Sequence, residues 1–266
     1  MRRAARLRLS ARLGAARERR DLERIVEDLY RVDAISGTGY WAWLRRTVPP
    51  DEVLRRLEAT DRSLRETFAL LIDLWAERVA PAATLIGEKS PDHLESVPTF
   101  ATWFPGARII HTFRDPRGIY ASELRRRREG RWGPKRVLRM VPGALVDAAL
   151  PAAEAARSAI VWRRADNLDR TYRELLGSRY RLVRFEDLVR DPEAEIRAVC
   201  GTLGIDFSPG MLEIDVVGSS FAAQRHASTG FDPSTAMRWQ RTVGPFARLW
   251  FRGALGGQLE RRGYAR

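Results

Sequence analysis

The segment from Arg114 to Arg126 has the residue types and spacing of an anion-binding site. Arg114 follows the apolar run ARIIHTF (107–113), and Asp115-Pro116 after it can begin a helix, with Asp as the cap and Pro in the first turn. Such a junction directs backbone N–H groups, the positive end of a helix dipole and a guanidinium at one point. Ser122 and Arg126 share one helical face, so a hydroxyl and a second guanidinium can reach the same anion.

The spacing alone also allows a purely structural interpretation. Arg114 would then pair with a carboxylate, and the arginine run 125–128 would be a solvated helix face. The formal net charge of +13 does not decide between these two interpretations. A charge of this size is compatible with binding to nucleic acid or an anionic membrane, with a cleft for a polyanionic small molecule, and with a coding bias towards arginine. The basic residues are 45 Arg and only two Lys, Lys89 and Lys135.

The elements that would position these side chains begin with helices. Between residues 21 and 30 the apolar residues recur with the period of one helical face; they are Leu22, Ile25, Val26 and Leu29. Helical spacing begins again at Pro50 and continues to about Ala80. Residues 1–20 hold eight arginines and one acid, which fits an exposed basic helix or frayed end, with a nucleic-acid arm or membrane-surface helix as the alternative.

From residue 84 the pattern changes to strands separated by helices. Apolar runs predict strands over 84–87, 107–113 and 180–185, and the second run lacks alternation, which predicts cover on both faces. The helices predicted between and after the strands begin at Pro91 and end at Pro105-Gly106, extend over 152–176, and run from Asp191-Pro192 to near Gly204. We therefore predict an α/β fold with a parallel β-sheet flanked by helices, and ligands at the carboxyl ends of the strands, where Lys89, Arg114 and Glu186 fall.

Composition narrows the class of protein. A chain of 266 residues with 44% apolar residues can bury a core, and we expect one domain over 21–266 after the basic segment 1–20. No apolar run reaches the roughly 18 residues of a membrane span, and no signal peptide is evident, so we expect a soluble cytoplasmic protein. Cys200 is the only cysteine, which excludes a disulfide within the chain and a metal site built on several thiolates. We expect Cys200 to be buried and structural.

Several segments together resemble one family. FRDPRGIYAS (113–122) is similar to the 3'-phosphate-binding segment of sulfotransferases that use 3'-phosphoadenylyl sulfate (PAPS). Further matching segments follow in the order and spacing of that family; they are GEKSP (87–91), WFPGARIIHTFRDPR (103–117), YRLVRFEDLVRDPEAEIRAVCGTLGIDF (180–207), Arg238-Trp239 and RRGY (261–264). The resemblance extends over roughly residues 20–264. It is closer to the bacterial and tyrosylprotein sulfotransferases than to the cytosolic steroid and phenol enzymes, because Pro91 stands where the latter have a catalytic histidine.

The resemblance implies a P-loop-like sulfotransferase fold and roles for individual residues. Arg114, Ser122 and Arg126 would hold the 3'-phosphate of PAPS. Lys89 would lie beside the sulfuryl group and stabilise the charge that grows as sulfate leaves the nucleotide. The reaction implied moves a sulfuryl group to an acceptor hydroxyl or amine without a metal or a covalent enzyme intermediate. The acceptor stays open between a carbohydrate, a peptide and a small metabolite.

Other residues carry weaker implications. Phe185 stands where related enzymes often have a tyrosine, and its ring would stack in the nucleotide site. Ser219 or Ser220, together with Arg238, would belong to a late nucleotide-binding segment. None of the three histidines is assigned a catalytic role. We expect His93 to be exposed on a helix, His111 to be packed in the core, and His226 to lie in a polar loop.

One element of the family is missing from the pattern. Sulfotransferases hold the 5'-phosphosulfate with a loop of the form Arg/Lys-Ser-Gly-Thr-Thr, which follows a strand inside the sheet. Ser36-Gly37-Thr38-Gly39 is the nearest match, but Ile35 replaces the basic residue and Gly39 replaces the second Thr. Three explanations compete: the chain begins at an internal methionine of a longer enzyme, another chain supplies the strand, or the protein is a degenerate homologue. The sequence favours the first.

The sequence leaves two alternatives to the hypothesis of a PAPS-dependent sulfotransferase. One is a non-catalytic homologue that binds a nucleotide 3'-phosphate or another polyanion. The other is a nucleic-acid-binding protein that uses residues 1–20 and the helix over 115–129. Neither of these segments interleaves aromatic residues for base stacking, so the partners we expect are a nucleotide and its acceptor and not a nucleic acid.

Overall fold

The structure of the protein is a computed structural model that describes residues 13, 16, 18–30, 47–89, 91–128, 143–214 and 230–264. The chain divides into two compact units, Met1–Pro105 and Gly106–Arg266. A single domain over 21–266 stays a prediction. Among the helices of the described residues, none is both long and apolar enough to cross a membrane.

The first unit is built from helices. In chain order they are α1 (Arg19–Tyr30), α2 (Pro50–Glu58), α3 (Leu64–Val79), a 3₁₀ helix (Pro91–Ser96) and α4 (Val97–Trp103). The apolar face predicted for α1 is confirmed, since its four apolar residues are all buried. They form one core with residues of α2 and α3 that include Leu57, Leu71 and Leu74.

The prediction of uninterrupted helix from Pro50 to Ala80 is wrong, because α2 and α3 are separated by a turn. Arg62 adopts a φ of 60°, a left-handed conformation that a helix does not allow. The Asp61 carboxylate accepts the Ser63 N–H at 2.7 Å, and Ser63 Oγ accepts the Glu66 N–H at 3.1 Å. These short polar side chains bond the backbone locally and begin a new helix, while the apolar spacing continues across the break.

The strand predicted over 84–87 is also wrong. These residues belong to no strand, and the side chains of Leu85 and Ile86 are 50% and 38% exposed. A strand needs a neighbour to receive its backbone hydrogen bonds. The described residues of this unit form helices only, so residues 84–87 have no strand there with which to pair.

The second unit contains a parallel pair of strands. Its elements are β1 (Ile109–Phe113), α5 (Pro116–Arg128), α6 (Gly143–Leu176), β2 (Tyr180–Arg184), α7 (Phe185–Arg190), α8 (Pro192–Leu203), α9 (Ser234–Met237), α10 (Trp239–Thr242) and α11 (Pro245–Arg261). Ile109 pairs with Tyr180 and Phe113 with Arg184. Parallel strands need a crossover, and the crossover here contains α5 and α6. The predicted α/β fold with a parallel sheet is confirmed.

Helix ends in this unit follow the sequence closely. The Asp115 carboxylate accepts the Arg117 N–H at 2.8 Å, so it caps α5 with Pro116 in the first turn, as predicted. Asp191 caps α8 in the same way, and Gly204 ends that helix with a φ of 68°. Cys200, on α8, is buried as expected.

Strand β1 is covered less completely than its apolar sequence predicts. His111 and Phe113 are buried, but Thr112 between them is exposed, so the prediction of cover on both faces is wrong. The buried face packs on α6, where the Phe113 and Trp162 rings lie 5.0 Å apart. No described helix covers Thr112, which explains its exposure.

A buried polar chain links β1, β2 and α6. The Tyr180 hydroxyl lies 2.7 Å from His111 Nδ1 and also hydrogen-bonds the Asp169 carboxylate. Burial opposes ionisation of Asp169, but hydrogen bonds from Arg173, Arg262 and Tyr180 hold the pKa of that carboxyl below its ordinary value. An ionised carboxylate only accepts, so Tyr180 donates to Asp169 and His111 Nδ1 donates to Tyr180. His111 is therefore packed in the core, as predicted.

His111 should make the protein more stable as the pH rises from about 4 to 6.5. Burial lowers the pKa of His111 to about 4 from an ordinary value of 6.5, so in this range the unfolded chain binds a proton that the folded chain does not. This group alone should raise the free energy of unfolding by about 2 kcal/mol between pH 5 and pH 7.5. Urea unfolding of the wild type and of His111→Gln at both pH values measures this change in the free energy of unfolding. An equal pH dependence in the two proteins would contradict the assignment.

Candidate anion-binding site

The two strands end side by side and present an arginine and an aromatic ring. Because Phe113 pairs with Arg184, the next residues, Arg114 and Phe185, are neighbours. The Arg114 guanidinium carbon lies 4.2 Å from the centroid of the Phe185 ring, within cation–π distance. Trp162 Nε1 donates to the Arg114 carbonyl at 2.9 Å and fixes the backbone where the strand ends.

The Arg114 side chain is half-buried, and among the described residues no carboxylate forms an ion pair with it. Its Nη2 donates to the Thr235 carbonyl at 3.0 Å, and its Nε is buried with no acceptor. Burial lowers the pKa of Arg114, the charges of Glu186 and Asp115 oppose that shift, and the charge of Arg238 adds to it. An arginine stays protonated despite such a shift. The pairing with a carboxylate that the structural alternative requires is thus not seen among the described residues.

The first turn of α5 leaves room for this guanidinium because residue 118 is glycine. A Cβ atom at Gly118 would lie 2.9 Å from Arg114 Nε, closer than real Cβ atoms approach a neighbour. Ser122 and Arg126 follow on the same helical face, one and two turns further along. Ser122 is half-buried. Arg126 donates from Nη1 to Glu123 Oε1 at 2.7 Å, and its Nε is buried without an acceptor.

Arg238 lies close enough to affect Arg114 electrostatically, and it is exposed. It donates to the Asp232 carboxylate at 3.2 Å. The structure thus brings Arg114, Phe185 and Arg238 together within the second unit. The other residues singled out from the sequence lie outside the described residues; they are Ser219, Ser220, His226 and the segment 36–39.

Lys89 belongs to the first unit, where it is exposed and follows no strand. The preceding residue, Glu88, pairs through its carboxylate with His93 Nδ1. The His93 ring also packs on Phe100, with centroids 4.9 Å apart. The expectation of an exposed His93 is therefore wrong, because contacts with Glu88 and Phe100 leave only 21% of its side chain exposed.

Sequence reasoning placed Glu186 at a strand end but missed its role. This buried carboxylate accepts the Asp115 N–H at 2.9 Å and the Tyr264 hydroxyl at 3.1 Å. Burial and the Glu186 charge raise the pKa of Tyr264, so the phenol keeps the proton that it donates. Residues 186 and 264 both lie in segments that resemble the family, but nothing in either segment indicates that the two side chains contact each other.

A buried ion pair lies beside the strand end. Arg117 donates through Nη2 to Asp115 Oδ2 at 2.7 Å, and only about 4% of either side chain is exposed. The Arg117 guanidinium also lies 4.0 Å from the centroid of the Trp239 ring. Among the described residues, no cluster of three histidine, cysteine or acidic side chains is arranged to hold a metal.

Residues 11–209 match the model of the Sulfotransferase family. Human carbohydrate sulfotransferase 6 is 31% identical over an alignment of 160 positions. The alignment covers 53% of this chain and only 37% of the length of that relative.

Two solved structures share the fold. The sulfotransferase domain from the curacin biosynthetic pathway superposes with a TM-score of 0.56 and 18% identity, over 92% of this chain and 84% of that one. The sulfotransferase domain from the Synechococcus PCC 7002 olefin synthase gives a TM-score of 0.56 and 19% identity, over 92% and 81%.

Tyr264→Phe should lower the free energy of unfolding by roughly 1–3 kcal/mol, because a buried carboxylate loses one of its two donors. Tyr30→Phe is the matched control, since that hydroxyl donates to a neutral carbonyl, Val48 O, at 2.7 Å. Chemical denaturation of both variants compares the two losses. A Tyr264 loss no larger than that of Tyr30 would contradict the importance assigned to the Glu186 contact.

Proposed function

Because this chain belongs to the sulfotransferase family, we propose that it transfers a sulfuryl group from PAPS to an acceptor hydroxyl or amine. The observation that carries the proposal is the half-buried Arg114 guanidinium at the end of β1, whose buried Nε has no acceptor and which forms no ion pair among the described residues. A buried N–H group without an acceptor is unfavourable, and the nearby charges of Glu186 and Asp115 do not supply one. An anionic group of the substrate would supply the missing partner.

The residues around Arg114 suit a phosphate group. Arg114 Nε has no acceptor, and Gly118 leaves the space that a Cβ atom would fill. Ser122 and Arg126 add a hydroxyl and a second guanidinium on the same face of α5, and the N-terminus of that helix favours an anion. We assign to Arg114, Ser122 and Arg126 the binding of the 3'-phosphate of PAPS.

Phe185 and Arg238 complete the nucleotide site in this proposal. The Phe185 ring holds the Arg114 guanidinium by a cation–π contact, and Arg238 adds a second positive charge from a solvent-exposed position. Ser220, outside the described residues, is assigned to the same site through the sequence resemblance alone. The proposed reaction needs no metal ion.

Lys89 is the residue to which we assign a catalytic role. In sulfuryl transfer the acceptor forms a bond to sulfur while the bond from sulfur to the bridging oxygen breaks, and the acceptor loses a proton. An ammonium group beside the bridging oxygen stabilises the negative charge that grows there. The segment GEKSP, which ends with Pro91, supports this role through the family resemblance.

The acceptor is proposed from the comparisons. A carbohydrate, a peptide and a small metabolite all offer a hydroxyl or amine that can attack sulfur. The name of the human relative supports a carbohydrate among these.

Calorimetry with 3',5'-adenosine bisphosphate tests the nucleotide site. The folded protein should bind this product, and Arg114→Gln should weaken binding at least tenfold, or about 1.4 kcal/mol, because the buried cation is lost. Gly118→Ala should also weaken it by displacing the guanidinium, although alanine favours a helix over glycine by about 1 kcal/mol. Arg197→Gln, which removes an exposed arginine of α8, is the control and should bind normally. No binding by a folded wild-type sample would refute the nucleotide site.

Lys89→Ala should separate catalysis from binding. We expect sulfuryl transfer from PAPS, measured as 3',5'-adenosine bisphosphate formed with carbohydrate acceptors, to fall about 100-fold or more, because one electrostatic contact to the transition state is lost. Affinity for the bisphosphate should change less than threefold. Lys135→Ala, which alters the other lysine of the chain, is the matched control. Equal losses of transfer and affinity would place Lys89 in nucleotide binding alone.

A further inference from the structure

An arginine-lined cleft of about 610 Å³ opens in the second unit. Five arginines line it: Arg117, Arg184, Arg190, Arg248 and Arg252. None of the residues assigned to the nucleotide lines this cleft. The cleft is therefore a separate feature, and its volume is in the range of small-molecule sites.

Three of these arginines already have carboxylate partners. Arg117 is paired with Asp115 in the buried ion pair. Arg184 and Arg190 both pair with Asp187, each at 3.2 Å. The Glu186 carboxylate, which also lines the cleft, is occupied by its own two donors. Within the described residues, the carboxylates of the cleft are thus all engaged, and Arg248 and Arg252 are the two lining arginines without one.

Arg248 is held in place without being neutralised. Its Nε donates to the Val243 carbonyl at 2.8 Å and its Nη2 donates to the Gln240 carbonyl, so the side chain bonds to backbone oxygens near the end of α10. Its guanidinium carbon lies 5.8 Å from the centroid of the Trp239 ring. Two carbonyls and a ring orient the cation, yet no carboxylate of the described residues pairs with it.

Arg252 follows one turn later on the same face of α11. It is exposed, and among the described residues it has no hydrogen-bond or ion-pair partner. Arg248 and Arg252 therefore place two unneutralised guanidinium groups at one cleft. Such a pair suits a carboxylate, sulfate or phosphate group, each of which accepts several N–H donors.

Several other residues of the lining are apolar. Met237 and Leu249 are 50% and 66% exposed, and Pro233 and Pro245 line the same space. An apolar ligand body that covered these side chains would remove their surface from water, which is energetically favourable. An inorganic anion or a purely polar anion would leave that surface in water.

We propose that this cleft is a second anion site, which takes a small molecule that joins an acidic group to an apolar body. Arg248 and Arg252 bind the acidic group, and Met237 and Leu249 contact the apolar body. The site is independent of the proposed sulfuryl transfer, because it uses none of the nucleotide-binding residues.

Calorimetry of the full chain with naphthalene-1-sulfonate tests the site. We expect saturable binding with one site per chain, and a loss of at least tenfold in Arg248→Gln/Arg252→Gln. The control, Arg170→Gln/Arg197→Gln, removes two exposed arginines elsewhere in the unit and should bind within twofold of the wild type. Arg252→Gln alone, which breaks no contact among the described residues, should weaken binding at least threefold and serves if the double variant does not fold.

Other outcomes would overturn the proposal. No binding to the wild type refutes the site, and equal weakening in the control double variant would show a general charge effect. Equally tight binding of 1-naphthol or of inorganic sulfate would show that only one half of the ligand is recognised. Displacement of the probe by 3',5'-adenosine bisphosphate would assign the cleft to the nucleotide. Binding of phosphatidylglycerol vesicles without binding of the soluble probe would assign it to a lipid surface.

Discussion

The geometry of the second unit depends on the two hydrogen bonds that the Glu186 carboxylate accepts. It accepts the Asp115 N–H from the end of β1 and the Tyr264 hydroxyl from beyond α11, while it follows β2 itself. A buried carboxylate that loses a donor is destabilised by a few kcal/mol. The two donors must therefore stay in place, and Arg114, next to Asp115, takes its position from that requirement.

Two arginines three residues apart end in opposite electrostatic situations. Arg117 forms a buried bidentate pair with Asp115, whereas Arg114 bonds to a carbonyl and an aromatic ring. Asp115 decides the difference, because its carboxylate caps α5 and faces Arg117. Paired and unpaired arginines also lie side by side at the arginine-lined cleft. There Asp187 pairs with Arg184 and Arg190, while Arg248 and Arg252 have no carboxylate partner among the described residues.

Local features of the structure could be predicted from the sequence, and long-range ones could not. The buried face of α1, the Asp115-Pro116 helix start and the parallel strands follow from periodicity and capping, and the family inferred from the motifs is confirmed. The break at Arg62 was missed because apolar spacing continues across it. Apolar content alone made 84–87 resemble a strand, although a strand also needs a partner. The roles of the site residues stay predictions, since no contact with a nucleotide is described.

The two hydrogen bonds of Glu186 span 71 and 78 residues along the chain. Contacts of such long separation form late in folding, because the entropy of closing a long loop must be offset before they contribute. Helices such as α6 depend on neighbouring residues and can form much earlier. In a chain whose strands have not paired, the Asp115 N–H and the Tyr264 hydroxyl would not reach Glu186. A partly folded chain of this kind would therefore lack the arrangement around Arg114 altogether.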